Sequence, residues 1–321
     1  MFKSFFLVGG AGFIGSHFID ALLKQDLVKK VTVYDNFSNG KKWHYQHHYQ
    51  DKRLSIINAE ITSTNRLTEA MQGHDVVIHF ASNADISKAI TDPSIDFTEG
   101  ISLTYQVLES ARLTNVKRLI YTSGSGVYGD VGELESREDQ GNLHPISTYG
   151  ASKLAGEAFI ASYCHMFGLT ACVFRFANVV GPRQTHGVGY DFVRRLLNNE
   201  TTLRILGDGT QSKSYIYVKD IVDAVLLAND KMKSPFEIYN VATDDYITVH
   251  EIADIVVKCM GLDNQVSFEF TGGDRGWRGD VPIVRLNTDK IRALGWNCSH
   301  TSAQSINKSV LAMIAHANER L

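Results

Sequence analysis

The stretch Ser4-Phe5-Phe6-Leu7-Val8-Gly9-Gly10-Ala11-Gly12-Phe13-Ile14-Gly15 decides the fold. Five residues that are almost all apolar read as a buried strand, and a Gly-x-x-Gly-x-x-Gly run then opens a helical pattern over Phe13–Lys24. Glycine at these positions permits a tight turn and lets backbone approach a pyrophosphate, whose charge then faces the N–H-rich end of the helix. A second strand, Val31–Tyr34, leads to Asp35, 20 residues beyond Gly15. That is the separation at which a carboxylate accepts hydrogen bonds from an adenosine ribose. Asp35 also repels a 2′-phosphate, and Asn36 supplies no positive charge to offset it, so NAD is expected over NADP.

Further along, Leu54–Ile57, Val76–Phe80, Leu119–Thr122 and Thr170–Phe174 read as strands. Asn65–Gln72, Ile95–Leu113 and Thr148–Met166 read as helices between them. Near-continuous apolar strands suit a sheet covered on both faces, and the βαβ order predicts a doubly wound, parallel Rossmann α/β fold. After Asn178 the pattern loosens into a loop through His186 and Gly189, followed by helices at Lys219–Asn229 and His250–Cys259. The expected organisation is an NAD-binding domain over 1–178 that also receives 214–241. A smaller mixed α/β substrate lobe takes 179–213 and 242–321.

The 321 residues are 44% hydrophobic and 21% charged, as in an ordinary globular protein. With 32 Lys plus Arg against 35 Asp plus Glu, the net charge of −3 offers no basic field for nucleic acid. No apolar run reaches membrane-spanning length and no leader pattern is visible, so a cytoplasmic location without membrane association is expected. Cys164, Cys172, Cys259 and Cys298 show no metal or disulfide spacing and read as reduced thiols. His44, His47 and His48 have no carboxylate or cysteine at ligand spacing, so they read as a solvated loop and no metal is expected.

Tyr149-Gly150-Ala151-Ser152-Lys153 opens a helix, and its i,i+4 spacing stacks the phenol and the amine on one face. A neighbouring ammonium is expected to lower a phenol toward a working base. At the end of the fifth strand stands Thr122-Ser123-Gly124-Ser125-Gly126-Val127-Tyr128-Gly129, whose hydroxyls are candidates to meet a substrate oxygen.

These features together resemble the extended short-chain dehydrogenase/reductase family, and within it nucleotide-sugar epimerases and dehydratases of the UDP-glucose 4-epimerase type. The resemblance extends through Arg175–Pro182, Gly207-Asp208-Gly209 and Tyr215–Asp220. It implies that Tyr149 is the base and that Lys153 binds the nicotinamide ribose. Gly9, Gly12, Phe13, Ile14, Gly15 and Asp35 then hold NAD. Asn36, Ser38 and Asn39 form the adenosine-side loop, Glu60 and Ile61 contact adenine, and Phe80-Ala81-Ser82 lines the cofactor channel. Ala84 stands where many sugar epimerases have lysine. The family's catalytic Ser/Thr falls on Gly124, so its role passes to Ser123, to Ser125 or to a water. Ser123 is slightly favoured.

Dehydratases and decarboxylases of this kind carry acids at the positions of Ser125 and Gly126. Their absence points to C4 epimerisation of a nucleotide-diphosphate sugar through a transient 4-keto sugar. A nucleotide-sugar oxidoreductase or dehydratase is the alternative, and a non-catalytic NAD-binding sensor a more distant one. For the substrate, the resemblance assigns Asn178, Lys213 and one of Arg275 and Arg278, with Ser123 and Tyr149 at the sugar. It also implies a homodimer joined through the helices near Ile95–Leu113 and Thr148–Met166.

Overall fold

The structure, a computed structural model, describes residues 2–61 and 64–318. The first elements are β1 (Ser4–Val8), α1 (Phe13–Leu23), β2 (Lys30–Asp35), β3 (Leu54–Asn58), α2 (Thr64–Met71), β4 (Val76–His79), α3 (Ser94–Asp96), α4 (Leu103–Leu113) and β5 (Arg118–Gly124). Next come α5 (Thr148–Phe167), β6 (Ala171–Phe176), β7 (Asn178–Val180), α6 (Val188–Asn198), β8 (Thr202–Ile205), β9 (Ser212–Lys213), β10 (Tyr215–Tyr217) and α7 (Val218–Lys231). The chain ends with β11 (Phe236–Val241), β12 (Ile247–Thr248), α8 (Val249–Cys259), β13 (Ser267–Phe270), α9 (Asp289–Arg292) and α10 (Ser302–Asn318).

Two compact units result. One contains the residues up to Val127, Thr148–Arg175 and Val225–Tyr239; the other contains Tyr128–Ser147, Phe176–Ala224 and the chain from Asn240 onward. The first unit is built on a seven-stranded sheet in the order β11-β6-β5-β4-β1-β2-β3, parallel from β3 through β5. The reversal of strand order beside β1 makes this the doubly wound arrangement, and such sheets bind ligands beyond the carboxyl ends of their strands. The fully apolar interior strands follow from this, since helices cover both faces: Phe6, Tyr34, Leu67, Met71, Leu108, Leu119 and Ile160 form one buried cluster.

The helix expected over Ile95–Leu113 is interrupted. After α3 the chain makes a π-helical turn at Phe97–Ser102 before α4 continues. A Cβ on Gly100 in that turn would lie 2.6 Å from Ser152 Oγ, so the widened turn sits where this helix presses on α5. The His44 segment also departs from a solvated loop. It forms two 3₁₀ turns, and His44 is fully buried with Nδ1 2.8 Å from Ala11 O.

The second unit packs α6, α8 and α10 around Phe192, Val193, Leu196, Leu203, Ile252, Val256, Ile306 and Val310. The loop expected to run through Gly189 ends at Gly187, where α6 begins. Val188, Phe192, Val193 and Leu196 give this helix an apolar face at helical spacing. No helix among the described residues is long and apolar enough to cross a membrane.

Candidate active site

The glycine turn is as tight as its sequence requires. Gly9 takes φ +75° and donates its N–H to Tyr34 O at 2.8 Å, and a Cβ there would lie 2.7 Å from Ala81 N. A Cβ on Gly15 would come within 2.6 Å of Gly10 Cα. Helix α1 begins at Gly12 without a side-chain cap and without an acidic residue in its first turn, so its positive end is left for an anion.

The Asp35 carboxylate accepts from Ala11 N at 2.9 Å and from Phe37 N at 2.8 Å. Two of its roughly four lone-pair directions stay available for ribose hydroxyls. Burial pushes this carboxyl above its ordinary range, with the Phe37 and Ala11 N–H groups opposing. The adenosine-side residues are brought together. Asn36 donates to Glu60 Oε2 at 3.1 Å, its own Oδ1 accepts from Ser38 N and Oγ, and Tyr34 OH donates to Glu60 O. Asn39 is exposed on the same loop, and Ile61 packs against the core of this unit. The Phe80 ring packs against Phe18 with centroids 5.0 Å apart and planes tilted at 53°. A cradle that a single Cβ would fill, next to an uncapped helix end and a buried carboxylate with spare acceptor sites, fits a dinucleotide.

The Tyr149–Lys153 pair lies at the start of α5. Thr148 donates to Asp96 Oδ2 at 2.6 Å, and Asn83 donates to Asp96 Oδ1 at 2.9 Å. The buried Asp96 therefore fixes the helix start one residue before the phenol. Lys153 is 3% exposed; its Nζ donates to Thr122 O at 2.9 Å and lies 5.5 Å from the Tyr149 ring centroid. Burial lowers the Lys153 amine to about 8, against the opposing charges of Glu157 and Asp96. Tyr149 goes the opposite way from the expected one. Desolvation, opposed by a hydrogen bond with Ser82 and aided by the Asp96 charge, pushes its phenol up to about 12. Ser82, expected only to line a channel, is thus the hydroxyl that meets the phenol.

At the end of β5 the expectation for Ser123 needs correction. Its hydroxyl donates to Glu157 Oε1 at 2.6 Å, and Glu157 is held by Arg175 through Nη2–Oε2 at 2.7 Å. All three side chains are buried. With its one proton committed to a carboxylate, Ser123 has none to donate to a substrate oxygen. Ser125 begins the 3₁₀ turn that follows, and no hydrogen bond from its side chain is formed among the described residues. Sequence reasoning missed Glu157 and Arg175, although an arginine inside Val173-Phe174-Arg175-Phe176 signals a buried partner.

The remaining candidates belong to the second unit. Asn178 opens β7 and its Nδ2 donates to Ser214 O at 3.4 Å. Lys213 is bonded to the Asp280 carboxylate, which also accepts from Gly276 N. Arg275 donates to Asp130 and to Asp280 O. Arg278 is exposed and forms no ion pair among the described residues. Of the expected cations, only Arg278 therefore retains an uncommitted charge.

A doubly wound sheet with a dinucleotide cradle after β1 and a Tyr–Lys pair on the helix after β5 defines an NAD-dependent enzyme fold of the short-chain dehydrogenase/reductase kind. The chain belongs to the NAD dependent epimerase/dehydratase family, which it matches over residues 5–242, and its cofactor is NAD. It is 30% identical over 297 residues to a putative UDP-glucose 4-epimerase of Methanocaldococcus jannaschii, covering 90% of this chain and 92% of the relative. A crystal structure of a UDP-galactose 4-epimerase superposes with a TM-score of 0.86 at 35% identity, covering 98% of this chain and 99% of the other. A dTDP-glucose 4,6-dehydratase from Streptomyces venezuelae, solved with NAD bound, superposes at 0.90 and 25% identity, covering 99% and 98%. Relatives of both reaction types therefore share the fold.

Proposed function

We propose that the protein is a nucleotide-diphosphate-sugar 4-epimerase acting on a UDP-hexose. The observation that carries this reading is a Tyr149–Lys153 pair with, among the described residues, no free carboxylate on the Ser123–Gly126 stretch that ends β5. Ser125 and Gly126 occupy the positions where an eliminating enzyme needs an acid, and the nearby Glu157 and Asp96 are each held by hydrogen bonds to other side chains. Expelling a 6-hydroxyl as water needs a proton donor, whereas inversion at C4 needs only a group that takes one proton and returns it.

NAD, held by the glycine turn and Asp35, supplies reversible hydride acceptance at the sugar C4. Tyr149 provides the proton site: burial favours its neutral phenol, and the Lys153 ammonium together with the positive nicotinamide ring of bound NAD would favour the phenolate, whose oxygen takes the proton of the sugar 4-hydroxyl and gives it back. Ser82 donates to that oxygen when it is ionised. Lys153, held by Thr122 O, keeps an amine beside the phenol ring. Ser125 supplies the hydroxyl that Gly124 lacks, and Arg278 supplies charge for the diphosphate. The exposed Tyr105 and Leu113 of α4 and Phe159 and Met166 of α5 support a homodimer through the α4 and α5 surfaces.

The test is incubation of the purified protein with UDP-glucose, UDP-N-acetylglucosamine, UDP-glucuronate and CDP-, GDP- and dTDP-sugars, followed by proton NMR. A C4 epimer formed without added cofactor is expected. A 6-deoxy-4-keto product, carbon dioxide release or stoichiometric consumption of a reduced cofactor would overturn the reading.

A further inference from the structure

We propose that Asp20, His47 and His48 form a divalent metal site, suited to Zn²⁺, that fastens the segment after the adenosine-side loop onto helix α1. Asp20 stands 27 residues before the adjacent pair His47-His48, yet the three ligand atoms all fall within 4.8 Å of one another. His47 Nε2 is 2.8 Å and His48 Nε2 2.7 Å from the same oxygen, Asp20 Oδ1. Adjacent side chains normally diverge. Here the 3₁₀ turn Gln46–His48, entered through Tyr45 at φ −136° and ψ 1°, turns both imidazoles to one carboxylate with ring centroids 4.2 Å apart.

The donor set argues for the cation. Two neutral imidazoles and one carboxylate carry a single negative charge, and a divalent ion accepts the Nε2 lone pairs in place of two protons bonded to one oxygen. Imidazole with carboxylate suits Zn²⁺ and its neighbours in the transition series better than Mg²⁺ or Ca²⁺. Bonds of ~2.0–2.1 Å set ligand atoms roughly 2.9–3.4 Å apart, so the two Nε2–Oδ1 pairs, now at 2.8 and 2.7 Å, need open by only a few tenths of an ångström. His47 is 44% exposed, which leaves room for completing waters, and His17 Nδ1 stands 4.0 Å from the other oxygen, Asp20 Oδ2.

The consequence lies in what the segment already touches. Lys41 N donates to Ala11 O at 3.2 Å, and His44 Nδ1 lies 2.8 Å from that oxygen, inside the glycine turn. A metal at Asp20 pins the far end of the same segment, so that the chain leaving Asp35 is anchored at both ends on the element that carries the cofactor cradle.

The experiment uses untagged full-length protein stripped with a chelator and titrated with Zn²⁺ by calorimetry. One equivalent per chain is expected. Binding is lost in the His47→Gln/His48→Gln double variant and weakened at least ~10-fold in Asp20→Asn, while His165→Gln, on the surface of α5, binds as the parent does. Circular dichroism confirms that the variants are folded. Amide exchange across residues 41–48 is expected to slow with Zn²⁺ in the parent alone. No saturable binding, or binding unchanged in the double variant, overturns the site; binding without slower exchange overturns the fastening.

Discussion

Ser123 donates its hydroxyl proton to Glu157 Oε1 at 2.6 Å, inside a buried network closed by Arg175. The residue therefore holds β5 to α5 and is a positioning residue. Replacing it by alanine leaves Glu157 with its arginine. Ser123→Ala is expected to cost about 1–3 kcal/mol of stability while kcat stays within roughly threefold of the parent. Ser125→Ala removes the uncommitted hydroxyl and is expected to lower kcat by roughly 10²-fold with little change in melting temperature. Steady-state kinetics beside thermal unfolding separates the two, and a larger kcat loss for Ser123→Ala would return the catalytic hydroxyl to that position.

The buried amine of Lys153 makes stability depend on pH. Its folded value is lowered by burial to about 8 from an ordinary 10.5. Between those values the unfolded chain binds more protons than the folded one, so stability rises with pH across that window; below it the full penalty of ~3 kcal/mol is present. Tyr149, raised to about 12 from 10.0, acts above pH 10 in the opposite sense. Lys153→Met removes the buried charge and also the bond to Thr122 O. It is expected to stabilise the fold by ~1–2 kcal/mol near pH 7, an advantage that fades toward pH 10, while abolishing turnover. Thermal unfolding at both pH values checks this, and equal differences at the two would refute the lowered amine.

The glycine cradle makes a steric prediction. A Cβ at position 15 would sit 2.6 Å from Gly10 Cα, backbone that cannot move without opening the turn. Gly15→Ala is expected to cost about 1–3 kcal/mol and to leave the purified protein with much less NAD than the parent. The nucleotide released on denaturation, measured per chain, is the readout.

What was legible in the sequence was local. Strand, glycine turn, helix and Asp35 occupy one βαβ unit, where each spacing carries its own physical reason, and β1, α1 and Asp35 fall where the pattern put them. The Ser123–Glu157–Arg175 network and the bridge of Asp96 to Asn83 and Thr148 join residues on different elements, which no periodicity reports. β9 and β12 have two residues each, too few to show alternation. Asp20 escaped notice as a partner for His47 and His48 because ligand spacing along the chain says nothing about a helix and a turn 27 residues apart.

The two arginines of the 275–278 segment make the sharpest test of substrate binding. Arg275 already has acceptors in Asp130 and in Asp280 O, and Lys213 has one in the Asp280 carboxylate. Removing Arg275 breaks those contacts, so Arg275→Ala is expected to lower the melting temperature. Arg278 has no such partner among the described residues, so its loss is expected to leave stability within about 0.5 kcal/mol of the parent. If its guanidinium meets the diphosphate, Arg278→Ala removes a charge-assisted bond of about 1.5–3 kcal/mol and raises KM for the nucleotide sugar roughly 10–100-fold at unchanged kcat and melting temperature. Arg278→Lys keeps the charge without the fork and recovers only part of that loss. A KM unaltered in both Arg278 variants, with Arg275→Ala raising it instead, would move the diphosphate contact to Arg275.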